Sequence, residues 1–63
     1  MPHTPSWRWA LWSRRRTEEP WSRQTGGLVR PRAATLAAAQ RSVERTVGWA
    51  HKNPDRWALT YAP

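Results

Sequence analysis

A chain of 63 residues has room for one small domain, which buries only about 60% of its unfolded surface. It contains six Trp but no Phe, Ile or Cys, so indole rings must build much of the core, while disulfides, thiolate catalysis and cysteine-type zinc sites are excluded. Eleven basic residues, ten of them Arg, against four acidic ones give a net charge of +7, which favours a polyanionic partner such as nucleic acid or an acidic membrane or protein surface.

The first residues of the chain have little to bury. Residues 1–5 (MPHTP) contain two prolines, and we predict a flexible arm there. The next residues alternate between two sets: Trp7, Trp9 and Leu11 in one, and Arg8, Ala10 and Trp12 in the other. This period of two is typical of a half-buried strand, which we predict at about residues 7–13.

A second strand is predicted after a polar connection. Residues 14–20 (RRRTEEP) are polar and end in proline, which is typical of the connection in a hairpin. Residues 21–29 (WSRQTGGLV) then return as the second strand. Gly26 and Gly27 must bend this strand or form a bulge in it.

A helix is predicted at about residues 31–51. Pro31 suits a first helical position, and the following residues are rich in strong helix formers. The apolar residues fall at helical spacing on one narrow stripe: Leu36, Ala39, Val43, Val47 and Ala50. Gly48 is expected to fray or shorten the last turn, and Asn53 with Pro54 ends the helix.

The last segment alternates again and is predicted as a strand at about residues 56–61, with Trp57, Leu59 and Tyr61 on one face. The tetrapeptide RWAL occurs at residues 8–11 and again at residues 56–59, which indicates a shared environment in one sheet. The predicted fold is therefore a single small α+β domain over residues 6–63. A two- or three-stranded antiparallel sheet packs on one helix, in the order β-β-α-β.

Catalytic residues are poorly represented. His3 lies in the predicted arm, and His51 lies at the helix end, where a cation is electrostatically favourable without a catalytic role. Neither histidine has an evident partner in the sequence. Glu18 and Glu19 fall in the exposed connection, and the acidic residues offer neither an acid/base pair nor metal-ligand spacing. We therefore predict a protein that is not an enzyme and has no cofactor or metal site.

A basic face of the sheet is the one group of residues in the sequence that indicates a binding function. If the apolar residues of the first and last strands face the helix, the opposite face receives Arg8, Trp12, Arg14, Arg56 and Thr60. The second strand adds Trp21 and Arg23, provided that Ser22, Gln24 and Leu28 turn inward. Aromatic rings interleaved with Arg stack unpaired bases and neutralise phosphates. The predicted nucleic-acid-binding residues are Arg8, Trp12, Arg14, Arg15, Arg16, Trp21, Arg23 and Arg56.

Each part of this basic face has an alternative explanation. Trp12 and Trp21 could pack on each other across the hairpin, a contact that needs no ligand. The three consecutive arginines of residues 14–16 suit a phosphate clamp, but Glu18 and Glu19 reduce the net charge of the connection to +1, which favours a solvated turn. GC-rich codons also produce Arg in place of Lys, although they do not explain why only four residues are acidic.

A membrane partner is less favoured. The segment WRWALWSRRR has the Trp and Arg composition of peptides that lie among lipid headgroups. As a helix, however, its Trp residues would spread around much of the circumference, whereas as a strand they alternate. The longest uncharged stretch, residues 33–40, is far shorter than the roughly 20 apolar residues of a membrane span. We expect a cytoplasmic protein, of bacterial or phage type.

Two functions remain open from the sequence. The leading hypothesis is a small accessory protein that binds nucleic acid through its Arg/Trp face. The alternative is a protein-interaction module, either a phage- or plasmid-type protein that docks on an acidic host protein or a Trp-mediated homodimer. A homodimer is expected because short strands leave sheet edges and Trp surface uncovered. Salt response separates the two, since counterion release makes nucleic-acid binding strongly salt-dependent.

Overall fold

The computed structural model describes residues 6–63, and the predicted arm of residues 1–5 lies outside the described residues. The elements are β1 (Trp7–Ser13), β2 (Ser22–Val29), α1 (Leu36–Val47), a 3₁₀ helix (Gly48–Lys52) and β3 (Trp57–Ala62). Their order confirms the predicted β-β-α-β arrangement of a small α+β fold. Each strand begins and ends within one residue of its predicted bounds.

The three strands form one antiparallel sheet in the order β2-β1-β3, with β1 in the middle. Trp9 lies opposite Gly27 on one side and Tyr61 on the other, and Leu11 lies opposite Thr25 and Leu59. Residues that face each other across strands share a face of the sheet. The alternation in β1 and β3 therefore puts their apolar residues on the same side, as predicted.

The core lies between this side of the sheet and the helices. Leu11, at 4% exposure, packs with Val43, Val47 and Ala50. Partly buried residues surround this cluster: Trp9, Val29, Trp57, Leu59 and Tyr61. The predicted apolar stripe is confirmed from Ala39 onward, but Leu36 remains 41% exposed because it begins the helix, beyond the edge of the core.

The predicted start of the helix at Pro31 is wrong. Pro31 is buried in a turn in which its carbonyl accepts a hydrogen bond from the Ala34 N–H at 3.2 Å. Ala34 then has a positive φ of 57°, which breaks any helical run. The helix begins at Leu36 because the Thr35 hydroxyl caps it, accepting a hydrogen bond from the Ala38 N–H at 3.2 Å.

The end of the helix agrees with the sequence interpretation. The α-helix stops at Val47, and Gly48 opens a tighter 3₁₀ turn that continues to Lys52. Asn53 follows directly and donates its backbone N–H to the Ala50 carbonyl at 3.2 Å. Within the described part of the chain, no helix combines the length and the apolar character needed to cross a membrane.

The irregularity in β2 falls at Gln24 rather than at the glycine pair. The register shifts between Leu11 and Trp12, whose partners are Thr25 and Arg23, so Gln24 is the extra residue of a bulge. The expectation that Leu28 turns inward is therefore wrong. Leu28 lies opposite Arg8 and is 64% exposed, while the next residue, Val29, packs against the core.

Candidate nucleic-acid interface

The side of the sheet opposite the helix, here called the outer face, is rich in arginine. Its strand residues are Arg8, Ala10 and Trp12 of β1, Arg23, Gly26 and Leu28 of β2, and Ala58, Thr60 and Ala62 of β3. At the hairpin end the same register continues to Trp21, Arg14 and Arg56, and at the other end to Ser6 and Arg30. No acidic side chain belongs to this set.

Trp12 lies along the outer face. Its direct partner on β3 is Ala58, yet its indole Nε1 donates a hydrogen bond at 2.8 Å to the Thr60 hydroxyl, two residues further along that strand. The ring must therefore extend diagonally across β3, which the small side chain of Ala58 permits. With its edge occupied by Thr60 and its side chain only half-buried, the indole presents a ring face to solvent.

Arg23 also lies flat against the sheet. A Cβ built on Gly26 would overlap the guanidinium of Arg23, so this group occupies the space above the glycine. Ala10 is adjacent to Gly26 and only 9% exposed although it belongs to the outer face, because larger side chains flank it. The small residues of the outer face thus leave space for its larger side chains. Trp12 extends over Ala58, and Arg23 lies over Gly26, next to Ala10.

Arg14 and Trp21 form a fixed pair at the hairpin end. The Arg14 Cζ lies 4.0 Å from the centroid of the Trp21 ring, a cation–π contact. The Arg14 Nε also donates a hydrogen bond at 2.8 Å to the carbonyl of Asp55. The alternative in which Trp12 packs on Trp21 is wrong, because Trp12 lies opposite Arg23 and the partner of Trp21 is Arg14. Arg14 covers part of Trp21, although this indole remains 36% exposed.

The other predicted arginines divide into two groups. Arg8, Arg23 and Arg56 are exposed on or beside the outer face. Arg15 and Arg16 are exposed in the connection between β1 and β2, where the Glu19 N–H donates to the Arg16 carbonyl at 3.1 Å. These two arginines share their turn with glutamates and are not strand residues.

No arginine in the described part of the chain forms an ion pair with a carboxylate. Among residues 6–63, the only ion pair joins His51 and Glu44, between Nε2 and Oε1 at 2.6 Å. A guanidinium without a carboxylate neighbour has no negative charge beside it to offset its own, and it keeps its donors for a ligand. The outer face is therefore a region of uncompensated positive charge.

The helix side carries a separate polar cluster. Glu44 accepts a hydrogen bond from the Tyr61 hydroxyl at 2.8 Å through Oε2, while its other oxygen contacts His51. Burial, and then the nearby Glu44 carboxylate, raise the pKa of the Tyr61 hydroxyl above its ordinary value. The expectation that His51 has no partner is wrong, because the 3₁₀ turn brings it back to Glu44. The cluster ties α1 to the 3₁₀ helix and to β3.

These polar groups do not form a metal site. Within residues 6–63, no three His, Cys, Asp or Glu side chains gather at a spacing that would hold a metal ion. Glu44 bonds to two partners that both lie on core elements, which is an arrangement that fixes a fold.

Sequence reasoning missed two residues of the outer face. Leu28 was assigned inward, and Arg30 was not considered, although Arg30 follows Leu28 at the spacing of alternate strand residues. Arg30 donates from Nε to the Ser6 hydroxyl at 3.0 Å, which extends the basic face past the end of β2.

Comparison of the chain with protein-family models, curated proteins and solved structures gave no match.

Proposed function

We propose that this protein binds nucleic acid through the outer face of its sheet and acts as a non-enzymatic accessory protein. The observation that carries the proposal is the combination, on one face of the described chain, of arginines that form no ion pair, a flat indole and no acidic side chain. Basic side chains neutralise phosphates and release counterions, which supplies most of the affinity for nucleic acid. Aromatic rings beside them stack on bases.

The outer face suggests a role for each residue. Arg8 and Arg56 lie near opposite ends of the face, and Arg23 lies between them on the neighbouring strand. We assign these three to phosphate contacts. Trp12 lies among them and is the stacking surface, while Trp21 serves mainly to hold Arg14 in place.

A single strand suits this face better than a duplex. Bases in a duplex are already stacked on each other, so their faces are not free to stack on an exposed indole. The bases of a single strand can turn toward a flat surface while the backbone follows the arginines around it. We therefore expect a preference for single-stranded DNA or RNA with little sequence specificity.

The second candidate function is a protein-interaction module or a homodimer. Specific surface residues support it: Leu28 at 64% exposure and Trp49 at 47% are large apolar side chains in contact with solvent. Trp49 packs edge-on against Trp57, with ring centroids 4.8 Å apart, and so presents a rigid aromatic surface. Such residues are enriched at the centres of protein interfaces.

Binding at two salt concentrations tests the proposal. Fluorescence anisotropy of labelled single- and double-stranded DNA and RNA is measured at low and moderate salt, with labelled poly-glutamate as an acidic control without bases. The proposal predicts tight, salt-sensitive binding to single strands and weaker binding to duplexes and to poly-glutamate. If no nucleic acid binds at low salt, the proposal fails, and sedimentation analysis of self-association then tests the homodimer.

A further inference from the structure

A polar cleft lies at the hairpin end of the sheet. Its volume is about 530 Å³, within the range of small-molecule sites. The lining residues that can donate hydrogen bonds include Ser13, Arg14, Arg15, Ser22, Asn53 and Arg56. Trp57 contributes an apolar wall, and Glu19 is the only carboxylate in the lining. The donors in the lining therefore suit an anion that has several acceptor oxygens.

One of the arginines in the cleft, Arg14, is positioned in advance by its contacts. Arg14 is held by the Trp21 ring and by the carbonyl of Asp55, which uses its Nε and leaves the two terminal nitrogens of the guanidinium. The Arg14 N–H donates to the Arg56 carbonyl at 3.1 Å, so these residues lie opposite each other just after β1 and just before β3. Like charges in opposite positions repel, and an anion between them relieves that repulsion.

The charge of the cleft selects the class of anion. Three arginines and one glutamate give a net charge of +2. A phosphodiester carries a single negative charge, whereas a phosphate monoester carries about 1.5 to 2 negative charges at neutral pH and offers three equivalent acceptor oxygens. Guanidinium groups match such oxygens with paired hydrogen bonds. The monoester is the better electrostatic match.

The cleft borders the outer face at the hairpin end through Arg14 and Arg56. Its other walls include Ser13, Ser22 and Trp57, which lie on the helix side of the sheet. We infer that it binds the terminal phosphate monoester of a nucleic-acid strand that lies on the outer face. The inference rests on the proposed function. The volume of the cleft exceeds that of a phosphate alone, which leaves room for more of the terminal nucleotide.

The test compares single strands that differ only at their ends. One DNA 12-mer is prepared with hydroxyl ends, with a 5′ phosphate and with a 3′ phosphate. A hydroxyl-ended strand two nucleotides longer controls for added charge. We expect one of the two phosphorylated strands to bind about tenfold more tightly than both hydroxyl-ended strands. A hydrogen bond between charged groups contributes a factor of about this size to affinity.

Adjacent arginines provide matched variants. Arg15 lines the cleft, whereas Arg16, the next residue, does not. Arg15→Gln should lower the preference for the phosphorylated end, while Arg16→Gln should lower affinity for all strands and keep the preference. Both side chains are exposed in the connection, and circular dichroism checks that both variants keep the fold.

The outcomes separate the inference from the proposed function. If hydroxyl-ended strands bind but neither terminal phosphate adds affinity beyond the longer strand, the inference is overturned and the proposed function stands. If Arg16→Gln lowers the preference as much as Arg15→Gln does, the charge of the connection explains the preference without the cleft, and the inference is again overturned. If no strand binds at all, both fail.

Discussion

The indole Nε1 of Trp12 donates a hydrogen bond to Thr60 Oγ1 at 2.8 Å, joining the middle strand to an edge strand across the outer face. The bond uses the edge of the ring and turns the indole along the sheet. A tryptophan that stood upright would bury itself against its neighbours or extend into solvent with no fixed orientation. In the proposed function, an indole held flat has its orientation set before a base arrives, which lowers the entropic cost of binding.

Trp12→Ala should weaken binding to single strands by about 1 to 3 kcal/mol, because a base loses its stacking partner. Binding to duplex should change much less. Trp49→Ala is the matched control, since Trp49 is an exposed indole that belongs to the 3₁₀ helix on the other side of the molecule. Titration of each variant with single and double strands measures both effects. Equal losses for the two variants would contradict the assignment of Trp12.

Val43→Asp should unfold the domain, whereas Arg41→Asp should be tolerated. Val43 is 7% exposed in the core beside Leu11, so the new carboxylate would be buried without a partner at a cost on the order of 4 kcal/mol. Arg41 is exposed on the same helix. Thermal melting followed by circular dichroism compares them. A parent-like melting curve for Val43→Asp would mean that the core face of α1 is wrongly identified.

Gly26→Ala and Gly48→Ala should have opposite effects on stability. A Cβ at Gly26 would overlap the Trp9 carbonyl and the Arg23 guanidinium, so the strands must shift apart, at a cost of about 1 to 3 kcal/mol. Gly48 has helical φ and ψ angles, and a Cβ there would lie 3.4 Å from the Glu44 Cβ, so Ala should stabilise the fold by about 0.5 to 1 kcal/mol. Chemical unfolding of both variants gives the two signs. Destabilisation by Gly48→Ala would contradict the helical geometry at that residue.

Tyr61 should make the fold less stable at high pH. Burial, and then Glu44, raise the pKa of its hydroxyl in the folded state above the ordinary value of about 10. The stabilisation is fully present below pH 10 and is lost as pH rises from there through the folded-state pKa, because the unfolded chain loses the proton first. Tyr61 is the only tyrosine in the sequence, so Tyr61→Phe removes this effect completely. Urea unfolding at pH 8 and pH 10.5 should show a smaller loss for Tyr61→Phe than for the parent protein. Equal losses would exclude Tyr61 as the source.

Alternation of side chains was enough to predict β1 and β3, because Trp9 and Leu11 contrast with Arg8 along one strand and the same pattern returns around Leu59. The start of the helix was not predictable from Pro31. Proline favours a first helical position, but here it is buried in a turn, and Ala34 has a positive φ that alanine rarely adopts. Thr35 was the available signal, since threonine before an apolar helical run is a common cap.

The composition of the outer face was largely predictable, but its pairings were not. The pairings of Trp12 with Arg23 and of Arg14 with Trp21 depend on the extra residue at Gln24, which shifts the register of β2 and has no distinctive side chain. The cluster of Glu44, His51 and Tyr61 joins residues from three elements, and no local spacing indicates it. Contacts of this kind follow from the three-dimensional arrangement of the elements.

The salt dependence of binding by two charge-matched double variants tests the central claim most directly. Arg8→Ala with Arg56→Ala removes two charges from the outer face, and Arg41→Ala with Arg45→Ala removes two exposed charges from α1. For a labelled single strand, the outer-face variant should flatten the slope of log affinity against log salt by about 1.4, which corresponds to two lost phosphate contacts. The helix variant should keep the parent slope. Equal slopes for the two variants, or an unchanged slope for the outer-face variant, would contradict binding through the outer face.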